Sequence, residues 1–226
     1  MGKDGASSGV GVLDKSVGVL AFLSAEGPAS LAEVVEGTGL PRPTAYRLLS
    51  ALEAHHLVAR RGGRYALGLR LLGWGNRVDS GAGLVEAARP VLEGLRDASG
   101  ESSQLYVREG KDRVCVAAAE RASGLRDTVP VGAVLPLALG SAGKVFRGWD
   151  GEDGPEEVRR RGWAESVAER ERGVASVSAP VFGADGVLAA AVSVSGPVSR
   201  LGESPGGRLS GRVVEAAREI EEKLGS

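Results

Sequence analysis

The sequence predicts an α+β protein in two parts, a helical N-terminal part ending in a β-hairpin and a mixed C-terminal part. Three observations predict it. Apolar residues recur at helical spacing in three successive segments before His55. A glycine pair, Gly62-Gly63, separates two short β-prone runs. From Gln104 onward the apolar period shifts from 3.6 towards 2, with a closing helix at the C-terminal end.

The elements follow in chain order. Residues 1–11 are small and polar and read as a flexible tail. The tail holds a formal G-x-S-x-G string, Gly5 to Gly9, without the strand-turn-helix setting that would make it a nucleophile elbow. Val17, Leu20 and Leu23 mark a first helix from about Asp14, ended by Gly27-Pro28. Ser30 and Glu33 have capping-box spacing, so a short second helix starts there and stops at Gly37 to Gly39. A third helix starts around Pro41-Arg42-Pro43, where the first-turn amides lack intrahelical partners and proline is tolerated. Ala45, Leu48, Leu49 and Leu52 form its apolar stripe. Helix, short helix, glycine turn, helix is helix-turn-helix order, and the hairpin across Gly62-Gly63 supplies a wing. The winged helix-turn-helix then covers residues 12–67, and residues 68–83 form a linker helix and hinge, the hinge at Ser80-Gly81-Ala82-Gly83.

The second domain covers residues 84–226. Leu84, Ala88, Val91, Leu92 and Leu95 mark a helix that Pro90 either kinks or restarts. Gln104–Arg108 and Val114–Ala119 read as strands around a turn at 109–112. Val174–Phe182 and Val187–Ser195 read as a second hairpin across 183–186. Val213, Val214, Ala217, Ile220 and Leu224 close the chain as a helix.

Composition excludes several classes. The 226 residues carry a net charge of −1, which rules out a uniformly basic coat or an acidic tail protein. A single cysteine, Cys115, excludes an intrachain disulfide framework and, with only two histidines, a structural zinc site. Cys115 reads as a small core residue. No apolar run reaches the ~18 residues of a membrane span, and no signal pattern opens the chain, so a cytoplasmic protein without a membrane partner is expected. Three each of Phe, Trp and Tyr are too few for an aromatic base-stacking platform. No cofactor motif stands out: around Gly143-Lys144 the phosphate-loop glycine is replaced by Ala138 and the Ser/Thr by Val145.

Charge is distributed unevenly. Residues 42–77 carry +6, whereas residues 1–41 carry −3 and residues 79–226 carry −4. On the third helix Pro43, Tyr46, Arg47 and Ser50 lie opposite the leucine stripe, with Arg42 and Thr44 at the margins. Such a face suits the major groove of double-stranded DNA, where arginine reads guanine and hydroxyls reach phosphates or a thymine methyl. Arg60, Arg61 and Arg64 on the wing would neutralise phosphates. His55-His56 suit the negative end of the helix dipole.

Several stretches resemble the IclR family of bacterial transcription regulators: residues 13–75, PLALGSAGKV (136–145), GWAESVAERERGVASVSAP (162–180) and GVLAAAVSVSGPVSR (186–200). More narrowly, GVGVLDK, RVCVAAAERASGLRDTVPVG and ERERGVASVSAPV resemble an actinomycete subgroup that controls leucine and other amino-acid biosynthesis genes. The resemblance implies a GAF-like effector-binding domain, a small-molecule effector such as an amino acid or small carboxylate, and homodimers or tetramers on palindromic operators. Carried onto this chain, its pocket residues are Ser141, Ala142, Ser176, Ser193 and Ser195. Two departures stand out. Ser166 replaces an acidic pocket residue, and only 16 residues separate Lys144 from Arg161, so one pocket wall is either missing or supplied by a partner subunit.

Two other functions compete with this one. A serine hydrolase using Ser141 or Ser176 lacks a base, because no histidine follows His56 and Lys144 would have to serve. A winged helix used for protein docking would turn the basic face towards an acidic partner. The sequence favours a non-enzymatic, ligand-responsive DNA-binding regulator.

Overall fold

A computed structural model describes residues 8–75, 77, 83–149 and 155–225. The chain divides into two compact units, Met1–Val78 and Asp79–Ser226. Gly5, Ala6 and Ser7 of the serine string lie outside the described residues, as do Ser80, Gly81 and Ala82 of the expected hinge.

In the first unit α1 (Gly11–Glu26), α2 (Leu31–Thr38) and α3 (Arg42–Ala54) precede β1 (Val58–Arg61), β2 (Arg64–Leu67) and α4 (Arg70–Gly75). Helix α1 starts three residues before the expected Asp14, because Ser8 donates to the Asp14 carboxylate through both its amide and its hydroxyl and so orders the chain ahead of it. The capping box forms as read: Ser30 Oγ accepts from the Glu33 amide, and the Glu33 carboxylate accepts from the Ser30 amide at 2.6 Å. Val19, Leu23, Val34, Leu48, Leu49, Leu52, Val58 and Tyr65 form the core where the helices meet the hairpin. The hairpin pairs Val58 with Leu67 through Arg61 with Arg64. Its turn places Gly62 and Gly63 at φ +57° and +80°, the left-handed pair that a two-residue hairpin loop requires. The linker helix expected from residue 68 starts two residues later, at Arg70, after β2 ends at Leu67.

The second unit contains α5 (Leu84–Ser99), β3 (Ser102–Glu109), β4 (Asp112–Ala119), β5 (Val134–Pro136), α6 (Ser141–Trp149), α7 (Glu156–Arg161), β6 (Ala164–Val167), β7 (Val174–Phe182), β8 (Leu188–Pro197), α8 (Val198–Leu201) and α9 (Gly206–Leu224). The six strands are antiparallel, in the order β5-β4-β3-β8-β7-β6. The two hairpins read from the sequence are joined by β3 pairing with β8, Gln104 opposite Ser193. Helices α5 and α9 cover one face of the sheet with a large aliphatic core. On the other face α6 buries Val145 and Phe146 against Tyr106, Cys115 and Ala191. Pro90 lies inside an unbroken α5, beyond the first turn where its missing amide would matter least. The short strands β5 and β6, three and four residues long, carry no alternating signature of their own and take their form from the neighbouring strands.

Candidate nucleic-acid interface and effector pocket

Helix α3 is held by its apolar stripe and presents its other side outward. Ala45 and Leu49 are fully buried, and Leu48 and Leu52 nearly so. Pro41 caps the helix and its carbonyl accepts from the Thr44 amide at 2.8 Å. Arg42, Pro43, Tyr46 and Arg47 are exposed, with Thr44 and Ser50 half-buried beside them. Tyr46 keeps 51% of its surface accessible, unusual for an aromatic residue that has a core within reach. Val12, Lys15, Thr44, Tyr46, Arg47 and Ser50 line a groove of about 530 Å³ between α1 and α3. Lys15 is a cation of this surface that the helical-wheel argument missed, because it belongs to a different helix.

The three wing arginines are placed differently. Arg61 is exposed at the hairpin tip. Arg60 lies over the Tyr65 ring at 5.4 Å, which orients its side chain and leaves it exposed. Arg64 points back into its own unit. Its Nε and Nη2 donate to the Pro28 carbonyl at 3.0 and 2.8 Å, and Nη2 also reaches Glu33 at 3.0–3.1 Å. Ser30 and then Arg64 hold the Glu33 carboxyl down at about 2. Arg64 therefore braces β2 against the start of α2, which the sequence pattern of three basic wing residues could not distinguish from a phosphate contact. His55 occupies the C-cap of α3, its carbonyl accepting from Arg70 Nη1 at 3.0 Å, and His56 takes a left-handed turn at φ +59° into the wing.

In the second unit the serines named from the sequence share one face of the sheet. Register places Ser166, Ser176, Ser195 and Ser102 in one row across β6, β7, β8 and β3, and Ser178, Ser193 and Gln104 in the next. Residues paired across strands point to the same face, and residues two apart along a strand do too. This is the face that α6 covers. Ser141, the first residue of α6, brings its Oγ within 2.7 Å of both Ser176 Oγ and Ser178 Oγ. Ser178 Oγ donates to Ser193 Oγ at 2.9 Å, and Ser195 Oγ exchanges hydrogen bonds with the Gln104 amide at 3.0 and 3.2 Å. Ala142 is buried in the apolar cluster beneath α6 and offers no polar side-chain atom. Ser178 and Gln104 were missed, although strand alternation points to Ser178 once Ser176 is chosen.

Among the described residues these hydroxyls bond one another and the Gln104 amide, and no base bonds them. Lys144, the nearest basic residue of α6 in sequence, turns the other way, its Nζ donating to the Glu165 carbonyl at 2.9 Å and pairing with Glu169. It lines a separate cavity of about 480 Å³ with Arg147, Arg161, Trp163 and Glu165. Cys115 is fully buried, and burial pushes its thiol up to about 12, so it is an inert core residue. Among the described residues no cluster of metal-ligating side chains occurs, and no helix is long and apolar enough to cross a membrane.

Next to the serine rows lies a charged cluster that sequence reading did not find. Arg113 is 3% exposed and lies over the Tyr106 ring at 5.4 Å. Its Nη1 donates to the carbonyls of Pro136 and Leu139, just ahead of α6. Gly143 lets the Leu137 carbonyl and this guanidinium approach the helix, since a Cβ there would collide with the carbonyl and crowd the guanidinium. Asp127, between β4 and β5, accepts at 2.7 Å through each carboxylate oxygen from Nη2 of Arg170, in the β6–β7 connection. Burial pushes the Tyr106 hydroxyl well above its usual range and pulls the Arg113 guanidinium below its own.

Comparison with known proteins agrees with this architecture. The IclR helix-turn-helix domain matches residues 12–62, and the bacterial transcriptional regulator IclR C-terminal domain matches residues 77–157 and 155–222. The chain is 26% identical to the HTH-type transcriptional regulator BhcR of Paracoccus denitrificans, covering 95% of this chain and 87% of that protein. It is 29% identical to the glycerol operon regulatory protein of Streptomyces griseus, covering 92% of each. The crystal structure of the Thermotoga maritima IclR superimposes with a TM-score of 0.71 at 24% identity, covering 96% of this chain and 99% of that one. The relatives are regulators of transcription and not enzymes, and the fold is theirs throughout both units. An outward-facing helix on a winged helix-turn-helix, followed by a sheet whose polar face is covered by α6, is thus the arrangement of a known class, and the chain belongs to the IclR family of DNA-binding transcriptional regulators.

Proposed function

We propose that the protein is a ligand-responsive regulator that sets its third helix into the major groove of an operator and answers to a small molecule held against the serine face of its second unit. The observation that carries this reading is the outward face of α3, where Arg42, Tyr46 and Arg47 are exposed on a helix whose other side is fully packed. Arg47 reads a base edge, Thr44, Tyr46 and Ser50 fix the helix on the backbone, and Arg60 and Arg61 neutralise flanking phosphates. A homodimer or tetramer presents two such helices about one helical turn (~34 Å) apart, matching a palindrome.

The effector sits at Ser141, Ser176, Ser193 and Ser195, with the backbone around Ala142 at the start of α6. Hydroxyls that satisfy one another can exchange those bonds for a ligand's polar groups at little net cost. Effector control then requires only that the ligand bind two arrangements of the dimer unequally. The genes controlled are those of amino-acid, and specifically leucine, metabolism, in the cytoplasm. What supports this finer reading is the likeness of residues 9–15, 113–132 and 169–181 to that subgroup.

The test is a footprint on the DNA upstream of the protein's own gene, repeated with leucine and related amino acids. A protected palindrome whose occupancy changes with one of them is the expected result. Uniform, salt-sensitive binding without a protected site would overturn it.

A further inference from the structure

Arg113 is a buried cation with an unsatisfied side. Its Nε has no hydrogen-bond partner, and no ion-pair partner for it occurs among the described residues. Burial weighs most against its charge; Arg170 adds like-charge repulsion, while Tyr106 and Asp112 offset part of it without forming an ion pair. A guanidinium in this position is costly to bury unless an anion shares the site. The surroundings add positive potential. Arg113 lies against the first turn of α6, a nine-residue helix, next to its amide end.

Arg170 is the second cation of the cluster, and its grip on Asp127 is incomplete. Both carboxylate oxygens of Asp127 meet the one nitrogen Nη2 instead of the two-nitrogen fork that arginine offers a carboxylate. Among the described residues Nη1 pairs with the exposed Glu171 alone, at 3.7 Å. Asp127, Arg170 and Arg113 all act electrostatically on Tyr106, which shares a sheet face with Gln104, two residues before it on β3. Gln104 belongs to the serine rows, so the charged cluster and the hydroxyls border one another on that face.

We infer that Arg113, Arg170 and Tyr106 form the carboxylate-reading end of the effector pocket, with Asp127 occupying Arg170 until the carboxylate of the effector displaces it. The inference rests on the serine-face reading above and names the chemical class of its ligand. Exchange of one carboxylate for another keeps Arg170 paired and gives Arg113 a carboxylate in direct contact, which Asp112 does not provide. Because Asp127 lies between β4 and β5 and Arg170 between β6 and β7, the exchange also parts two segments that the clasp joins.

The test uses the full chain and four probes: benzoate and succinate, with benzamide and succinamide as uncharged counterparts. Binding is followed by calorimetry and by the shift in thermal unfolding, and the response by affinity for the footprinted duplex. Asp127→Asn removes the competing carboxylate and should tighten binding of at least one acid by ~10-fold. Arg170→Gln, and Arg170→Gln combined with Asp127→Asn, should weaken it by at least ~10-fold. Arg113→Lys, which keeps the charge and tolerates the site better than removal, should weaken it by a smaller factor. A clasp that is only a brace predicts the opposite sign for Asp127→Asn, namely lower stability with no gain in affinity. The inference is overturned if Asp127→Asn binds neither acid, if acid and amide bind alike, or if the double variant keeps the gain. Acid binding that leaves operator affinity unchanged upholds the carboxylate site and contradicts the proposed effector response. Operator release by the amides, with potency equal to the acids, does the reverse.

Discussion

The two units treat their polar side chains in opposite ways. On α3 and the wing tip, Arg42, Tyr46, Arg47 and Arg61 are exposed to solvent, where a partner can exchange places with water. On the α6 face of the sheet, Ser141, Ser178, Ser193, Ser195 and Gln104 are nearly inaccessible and bonded to one another. A duplex is a large, rigid polyanion that must be met by a projecting surface, whereas a small molecule is recognised by being enclosed. On the proposed reading, exposure suits the first kind of site and mutual satisfaction of buried polar groups suits the second.

Arg64 and Arg200 show the same contrast at the level of single arginines, because both, though half or partly exposed, are bonded within their own units and hold a fold together. Arg200 grips the carboxylate of Glu101, which is 2% exposed, through Nε at 2.5 Å and Nη2 at 2.7 Å. The largest effect on stability should come from Arg200→Met. It leaves the buried carboxylate with the longer contact to Arg121 Nη1 at 3.7 Å, and the cost should be about 2 kcal/mol, reduced from the ~3–5 of a sealed pair because Arg200 itself is partly exposed and Arg121 remains. Denaturant unfolding followed in the second unit checks it, and an unchanged midpoint would break the distinction between arginines bonded within the fold and those left to solvent.

Arg47→Ala should leave stability unaltered and weaken operator binding by about 1–3 kcal/mol, with a smaller loss on a scrambled duplex. Anisotropy titrations on both duplexes separate the two losses, and equal losses would reduce Arg47 to a phosphate contact. Arg61→Ala should lower affinity on both duplexes alike and reduce the slope of log affinity against log salt by ~1. Arg64→Ala should leave that slope unchanged and lower the melting temperature of the first unit, which sharpens the contrast within the wing itself.

The smallest effect concerns acid. Glu33 titrates at about 2 in the folded unit, below its ordinary 4.5, because Ser30 and Arg64 favour the charged form. A depressed carboxyl contributes stability above its unfolded value that is lost as pH falls through the folded one. The first unit should therefore lose this contribution between about pH 4.5 and 2, and Glu33→Gln should flatten that part of its stability profile. Thermal melts across this range test it, and a variant profile that parallels the parent would exclude Glu33 as the source.

Elements with local signals were legible in advance. The capping box at Ser30 and Glu33, the proline start of α3, its leucine stripe and the Gly62-Gly63 turn each depend on residues close in sequence, so composition and spacing suffice to read them. The two hairpins of the second unit were legible for the same reason. Their joining through β3 and β8 was not, because Gln104 and Ser193 are far apart along the chain and neither strand states its partner. Strands β5 and β6 escaped notice because they are too short to show a period.

By itself, then, the sequence determined the winged helix-turn-helix, the outward face of α3, the positions of the two hairpins and the alternation that puts Ser193 and Ser195 on one side of a strand. Only the tertiary structure decided which arginines face outward, that Arg64 serves as a brace, and that Arg113, Asp127 and Arg170 converge beside the serines. Helices and turns are stabilised by neighbours along the chain, so their signals are written locally. The partner of a guanidinium is chosen by whatever the finished fold brings within about 3 Å, and that distance has no counterpart in sequence spacing.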